Sequence, residues 1–279
     1  GSNLSRVTKR DVLIADDFKK FLADTNPYLT EEEVTQIFDT VRLVGGESDF
    51  AALHKVYGWM VDGIPFTPQD GLARMIPLIH FENPHKNIFR VVNQFTVEYT
   101  NNGQKETRRP DVLLFVNGMP VCIMELKNPA DVNATVYDAW EQIAVRYWRD
   151  IPHLLHYCPL ACISDGVKTR LGTVRTAYEH FYAWRRVNDE DAVSTLPFEE
   201  TETMIKGVYA PERFLEIFRD YIYFQDSIYD SSEVEIVCRY PQFFAARLLK
   251  QSIVNSVTIK SGKGGTYFGA TGCGKTYTM

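Results

Sequence analysis

The feature that most constrains this chain is a pair of apolar runs joined by Asn117-Gly118. Val112 to Val116 is almost continuously apolar, and Pro120 to Lys127 makes the return. Asn and Gly accept positive φ at both central positions of a tight turn, so the pair predicts a two-residue β-hairpin. Yet the return run ends in Glu125-Leu126-Lys127, and the outgoing run leaves from Arg109-Pro110-Asp111. A short antiparallel hairpin then brings Asp111, at the start of one strand, close to Glu125, near the end of the other.

Side chains alternate along a strand, so Glu125 and Lys127 share a face at a spacing of about 7 Å, while Leu126 is expected to point into the opposite layer. Acid and amine on an otherwise apolar strand are costly unless they pair or bind a ligand. Two carboxylates and the Leu126 carbonyl are the hard oxygen donors that Mg²⁺ prefers. Such an ion polarises a phosphodiester and lowers the pKa of a bound water, and the Lys127 ammonium can orient that water or neutralise developing charge. Taken alone, the Asp…Glu-x-Lys pattern fits a solvated strand-end salt bridge better than a catalytic site. Its context decides.

Around the hairpin the chain alternates between helical and extended patterns. Asp11 to Ala23 carries a helical stripe ended by Asn26-Pro27; Thr30 and Glu33 form a capping box for a helix running to about Leu43; Asp49 to Met60 predicts a third. Strand character begins near Ile79, and Ile88 to Tyr99 is rich in β-branched and aromatic residues before the Asn101-Asn102-Gly103 turn. Thr135 to Asp150 reads as a helix, Leu160 to Ser164 as a short buried strand, and Val187 to Gly207 as an acidic, irregular linker. Pro211 to Tyr223 and Tyr240 to Ser252 are again helical in pattern. The order predicts an α/β protein, a mixed β-sheet flanked by helices.

At the far end, Gly269-Ala270-Thr271-Gly272-Cys273-Gly274-Lys275-Thr276 fits the phosphate-binding loop G-x-x-x-x-G-K-[ST]. Gly269, Gly272 and Gly274 let backbone N–H groups curl around phosphates, Lys275 reaches the β- and γ-phosphates, and Thr276 ligates Mg²⁺, which points to ATP. The sequence ends three residues later at Met279, with no second acidic motif, so weak nucleotide binding and little hydrolysis are expected of it.

The stretches Asn93 to Val97, Arg108 to Val112, Val116 to Pro120 and Met124 to Pro129 resemble the PD-(D/E)xK nuclease domain of type I restriction R subunits. The likeness continues through Ile163 to Gly166 and Gly172-Thr173 to Trp184-Arg185, covering most of the chain after about Asp62. It implies a restriction-endonuclease-like fold followed by the beginning of a RecA-like P-loop domain. It also implies Asp111 and Glu125 as metal ligands, Lys127 as the catalytic lysine, and Mg²⁺ (Mn²⁺ as a substitute) as cofactor. In related RecB-like nucleases a Gln and a Tyr on the next helix complete the site; Gln142 and Tyr147 match. They stand five residues apart instead of four, which turns them about 140° from each other on an ideal helix. Many such nucleases add a carboxylate from ahead of the sheet, for which Glu82 is a weak candidate. By likeness to superfamily 2 motors, Gln242 would read adenine.

On this reading the chain divides into an N-terminal helical segment (1–60), a nuclease core (61–190), a linker and helix (191–232) and the start of an ATPase domain (233–279). The function implied is metal-dependent cleavage of double-stranded DNA after ATP-driven translocation, with methyltransferase and specificity subunits as partners. Two alternatives remain: a repair or RNA-processing nuclease of the same superfamily, which the adjoining P-loop argues against, and an inert DNA-binding or assembly scaffold. The net charge of −6 makes no global electrostatic case for DNA, so any contact needs a local basic surface. Five scattered cysteines fit free buried thiols and a reducing cytoplasm. No apolar run reaches the roughly 20 residues of a membrane span. Gly1-Ser2 is read as a cloning remnant.

Overall fold

The computed structural model describes residues 6, 8–46, 48–130, 134–193, 196, 199–226 and 233–268. Three helices come first: α1 (Ala15–Thr25), α2 (Glu31–Arg42) and α3 (Asp49–Asp62). Strands β1 (Ile64–Phe66), β2 (Arg74–Ile76), β3 (Phe89–Asn93), β4 (Val97–Asn101), β5 (Gln104–Arg108), β6 (Val112–Val116) and β7 (Met119–Leu126) follow. One long helical segment comes next, formed by α4 (Val136–Glu141), a π-helical turn (Gln142–Tyr147) and α5 (Trp148–Asp150), with α6 (Pro152–Leu155) after it. Then come β8 (Leu160–Ser164), β9 (Thr169–Thr173), α7 (Glu199–Val208), α8 (Pro211–Asp220), β10 (Ile222–Asp226), β11 (Glu233–Val237) and α9 (Tyr240–Thr258).

The expected mixed sheet is present. Its strands lie in the order β3-β6-β7-β8-β9. β7 is antiparallel to β6 and parallel to β8, the helical segment from α4 to α6 making the crossover that a parallel pair requires. Leu113, Phe115, Val121, Ile123, Leu160 and Ile163 are fully buried, so the central strands are covered on both faces, as their unbroken apolar spelling demands. The three N-terminal helices join the same core through Phe18, Leu22, Ile37 and Leu53. The Thr30 capping box forms: Thr30 N–H donates to Glu33 at 2.7 Å, and Glu33 N–H returns to the Thr30 hydroxyl at 3.2 Å.

The turn that organises the sheet is itself buried. Asn117 and Gly118 have φ of 49° and 78°, the two positive values of a type I′ turn. The Asn117 amide donates to the Leu78 carbonyl at 2.9 Å and to Asn87 at 2.8 Å, and its oxygen accepts from Ile88 N–H at 2.8 Å. Gly118 supports the start of α1: its carbonyl accepts from Ile14 N–H at 2.8 Å, and an added Cβ would lie 2.3 Å from the Ile14 carbonyl oxygen. Gly118→Ala combines a disfavoured φ with a backbone collision, so a loss of about 3 kcal/mol in urea unfolding is expected. A change under about 0.5 kcal/mol would mean that the approach of α1 to the turn is not fixed.

Several elements differ from expectation. The Asp11 to Ala23 stripe becomes helical only at Ala15, because Ile14 is held by Gly118 while Val12 and Leu13 are buried without being helical. The Ile88 to Tyr99 run splits at Gln94, whose φ of 54° sends β3 into the main sheet and β4 into a separate hairpin with β5. The stretch Val187 to Gly207 is not all irregular: it contains most of α7, whose Glu199, Glu200 and Glu202 sit in the first turn, where the helix dipole favours acids. The division placed at 232/233 runs between β10 and β11, which pair along their length, and Phe243 and Phe244 of α9 pack with Trp184, Met204 and Ile217. Cys122, Cys158, Cys162 and Cys238 are free and buried. Among the described residues no helix is long and apolar enough to cross a membrane.

Candidate active site

The register of β6 on β7 pairs Val112 with Met124, which sets Asp111 against Glu125 at the open end of the hairpin. Asp111 N–H donates to Glu125 Oε1 at 3.3 Å, and Leu126 N–H donates to Asp111 Oδ2 at 2.9 Å. The two acids are therefore linked through each other's strand. Glu125 is 0% exposed. Burial, together with the negative charge of Asp111, pushes its carboxyl up to about 8, although the hydrogen bond from Tyr147 opposes the shift.

The helical segment after β7 closes over this pair. Tyr147 donates its hydroxyl to Glu125 Oε1 at 2.7 Å, and Gln142 Nε2 donates to Glu125 Oε2 at 2.8 Å and to the Tyr147 hydroxyl at 2.7 Å. Gln142 turns its oxygen the other way and accepts from Lys127 Nζ at 2.7 Å. Glu125 and Lys127 thus face the same helix, as strand alternation requires. One network joins the acids, the lysine, the amide and the phenol.

The five-residue spacing of Gln142 and Tyr147 is resolved by the backbone. These residues span a π-helical turn, whose i to i+5 bonding brings residues five apart onto one face, where an ideal α-helix would separate them. The turn lies between two anchors: Trp140 Nε1 donates to the Thr176 carbonyl and Trp148 Nε1 to the Val174 carbonyl, each at 2.9 Å. Both indoles grip the segment after β9, so the extra residue is absorbed between them. Tyr147 stays 1% exposed and its hydroxyl still reaches Glu125.

Other candidates lie elsewhere. Leu126 does not enter the opposite layer; it is 47% exposed, because β7 outruns its cover at this end. Glu82 is exposed and ion-paired with Arg219 of α8 at 2.9 Å, with no bond to the acid pair. Among the described residues no group of three His, Cys, Asp or Glu side chains converges as a metal cage. Gln242 is buried at the start of α9, where its oxygen caps Arg239 N–H at 2.7 Å. Gly269, Gly272, Gly274, Lys275 and Thr276 lie outside the described residues. The partner that sequence reasoning missed is Gln94, whose amide donates to Asp111 Oδ1 at 2.7 Å. No periodicity marks it; only the register of β3 on β6 does.

The donor set suits a hard divalent cation. Two carboxylates and a strand-end carbonyl are oxygen donors, and Mg²⁺ is held by one or two carboxylates with water and phosphate completing its shell. The buried Glu125 carboxyl, short of compensating positive charge, is the group that such a cation would ionise.

Residues 1–180 match the family described as type I restriction enzyme R protein N terminus, and the chain belongs to that family. It is 30% identical, over 98% of its length, to the "Putative type I restriction enzyme MjaIXP endonuclease subunit" of Methanocaldococcus jannaschii, covering 27% of that protein. It is 27% identical, over 96% of its length, to the type I restriction enzyme HindI endonuclease subunit of Haemophilus influenzae, covering 25% of it. The chain thus spans about a quarter of the length of these relatives.

Proposed function

We propose that this chain carries the Mg²⁺-dependent DNA endonuclease site of a type I restriction system, built from Asp111, Glu125 and Lys127. The observation that carries the reading is the single hydrogen-bonded network linking these three residues through Gln142 and Tyr147. Asp111, Glu125 and the Leu126 carbonyl would hold the cation, which would supply Lewis-acid polarisation of the scissile phosphate and a more acidic bound water. Tyr147 and Gln142 fix the rotamer of Glu125 from above. Lys127, beside the exposed Leu126 and bonded to Gln142, would meet the attacking water or the charge developing on phosphate.

The mixed sheet around the site supports a restriction-endonuclease-like core, and the sequence motif Gly269 to Thr276 supports an adjoining ATP-driven motor. Double-stranded DNA and methyltransferase and specificity subunits are the partners that this reading adds; the word subunit in the relatives' names supports a multi-subunit assembly. The scaffold reading draws on one observation, the lack of a third converging acid among the described residues. Calorimetric titration with Mn²⁺ separates the two. One site is expected on the wild-type chain and none on Asp111→Ala, with the melting temperature retained. Absence of binding, or equal binding by Asp111→Ala, would leave the scaffold.

A further inference from the structure

Asp111 is held from two sides by groups that carry no charge. Leu126 N–H, at the end of β7, occupies one oxygen at 2.9 Å, and the Gln94 amide, just past the end of β3, occupies the other at 2.7 Å. No cation pairs with Asp111 among the described residues. Gln94 also holds the main chain of the same residue: its N–H donates to the Asp111 carbonyl at 2.8 Å, one step beyond the Asn93–Val112 pair. It does so with a φ of 54°, a left-handed backbone that glutamine seldom adopts and that persists where neighbours impose it.

Gln94 is exposed, so its side-chain bond replaces one to water and adds little to the fold. Its consequence lies in Asp111. A carboxylate at a strand end, free to rotate, would present its oxygens to solvent in several orientations. With one oxygen tied to each flank, the lone pairs left over are fixed relative to Glu125.

We propose that Gln94 is a positioning residue for Asp111, its amide fixing the carboxylate rotamer so that the remaining lone pairs meet those of Glu125 at one point. The inference rests on the reading of Asp111 as a metal ligand. Partners hydrogen-bonded to ligating groups commonly change metal affinity about 10- to 100-fold when removed.

The test uses the 279-residue chain and MnCl₂ alone, with affinity read by calorimetry and melting temperature in parallel. Gln94→Gly keeps the main-chain bond donor to Asp111, accepts the left-handed backbone and removes the amide with the rest of the side chain; Gln94→Ala removes the amide without that relief. Both variants are expected to bind Mn²⁺ about 10-fold more weakly or worse, with Gln94→Gly melting no lower than wild type. Wild-type affinity in both, while Asp111→Ala binds none, overturns the positioning role and leaves the metal site standing. A lowered melting temperature with unchanged affinity assigns Gln94 to strand pairing and also overturns it. If the wild-type chain itself shows no site that Asp111→Ala removes, the metal reading falls, and this inference with it.

Discussion

Lys127→Ala is expected to lower Mg²⁺-dependent cleavage of duplex DNA by the assembled restriction enzyme about 10²- to 10³-fold, while Mn²⁺ binding by the chain stays within a few-fold of wild type. The division follows from where the ammonium sits. Lys127 Nζ is bonded to Gln142 Oε1 at 2.7 Å and is half-exposed, whereas Glu125 is buried beneath the helix and Asp111 stands at the open end of the hairpin. An ammonium is no ligand for a cation, so its removal leaves the oxygen donors in place. What is lost is a positive group aimed at charge that develops only in the transition state, and removing one such donor typically costs two to three orders of magnitude, about 3 to 4 kcal/mol. Lys127→Arg should not restore the rate, since a forked guanidinium cannot occupy the point position of an ammonium. Cleavage within about threefold of wild type in Lys127→Ala would remove this residue from the chemistry and turn its bond to Gln142 into a helix tether.

What could be read from the sequence, and what could not, divides by the range of the interactions. The Asn117-Gly118 turn, the Thr30 and Glu33 cap and the helix after Thr135 are local, set by φ preference, short hydrogen bonds and periodicity, and all three form as expected. The juxtaposition of Asp111 with Glu125 was only partly legible: the two-residue turn alone would set Asp111 against Met124, and a β-bulge in β7, between the Leu114–Cys122 and Phe115–Pro120 pairs, shifts the register by the one residue that brings it to Glu125. The strands β9, β10 and β11 carried no such mark. β9 includes Gly172, which has no side chain because the Phe181 ring lies over it, so its apolar cover comes from a residue nine positions away. Likewise Gly207 in α7 makes room for Trp184. Composition made the α7 region look like a linker because its acids were counted without their position at a helix start. The π-turn is the instructive case: residue types implied Gln142 and Tyr147, spacing argued against their meeting, and only the two tryptophan anchors decide that the backbone yields instead.

The metal-free chain is expected to lose stability as the solution is made more alkaline across neutrality, and Glu125 is the group responsible. Its carboxyl is raised from an ordinary 4.5 to about 8 in the folded protein, by burial first and by the charge of Asp111. A carboxyl with a raised folded pKa binds its proton more tightly folded than unfolded. Its contribution is therefore fully present below pH 4.5 and is lost as pH rises through about 8. A shift of that size corresponds to about 4 to 5 kcal/mol between pH 4.5 and 8. Two other groups must be separated from it. Burial raises Glu235 in the same direction, and it holds His153 down to about 4, which works in the opposite sense, adding stability as pH rises toward 6.5. Both are common to wild type and Glu125→Gln, whose amide carries no charge at any of these pH values and can still accept from Tyr147. The measurement is the difference between their urea unfolding free energies from pH 5 to 8.5 in EDTA. Wild type should fall below the variant by several kcal/mol at the alkaline end, and saturating Mg²⁺ should restore wild type alone, because only an ionised Glu125 gains from the cation. Parallel curves in EDTA would mean that the network of Tyr147 and Gln142 already compensates the Glu125 charge, so that a cation would gain nothing from the burial of this carboxylate.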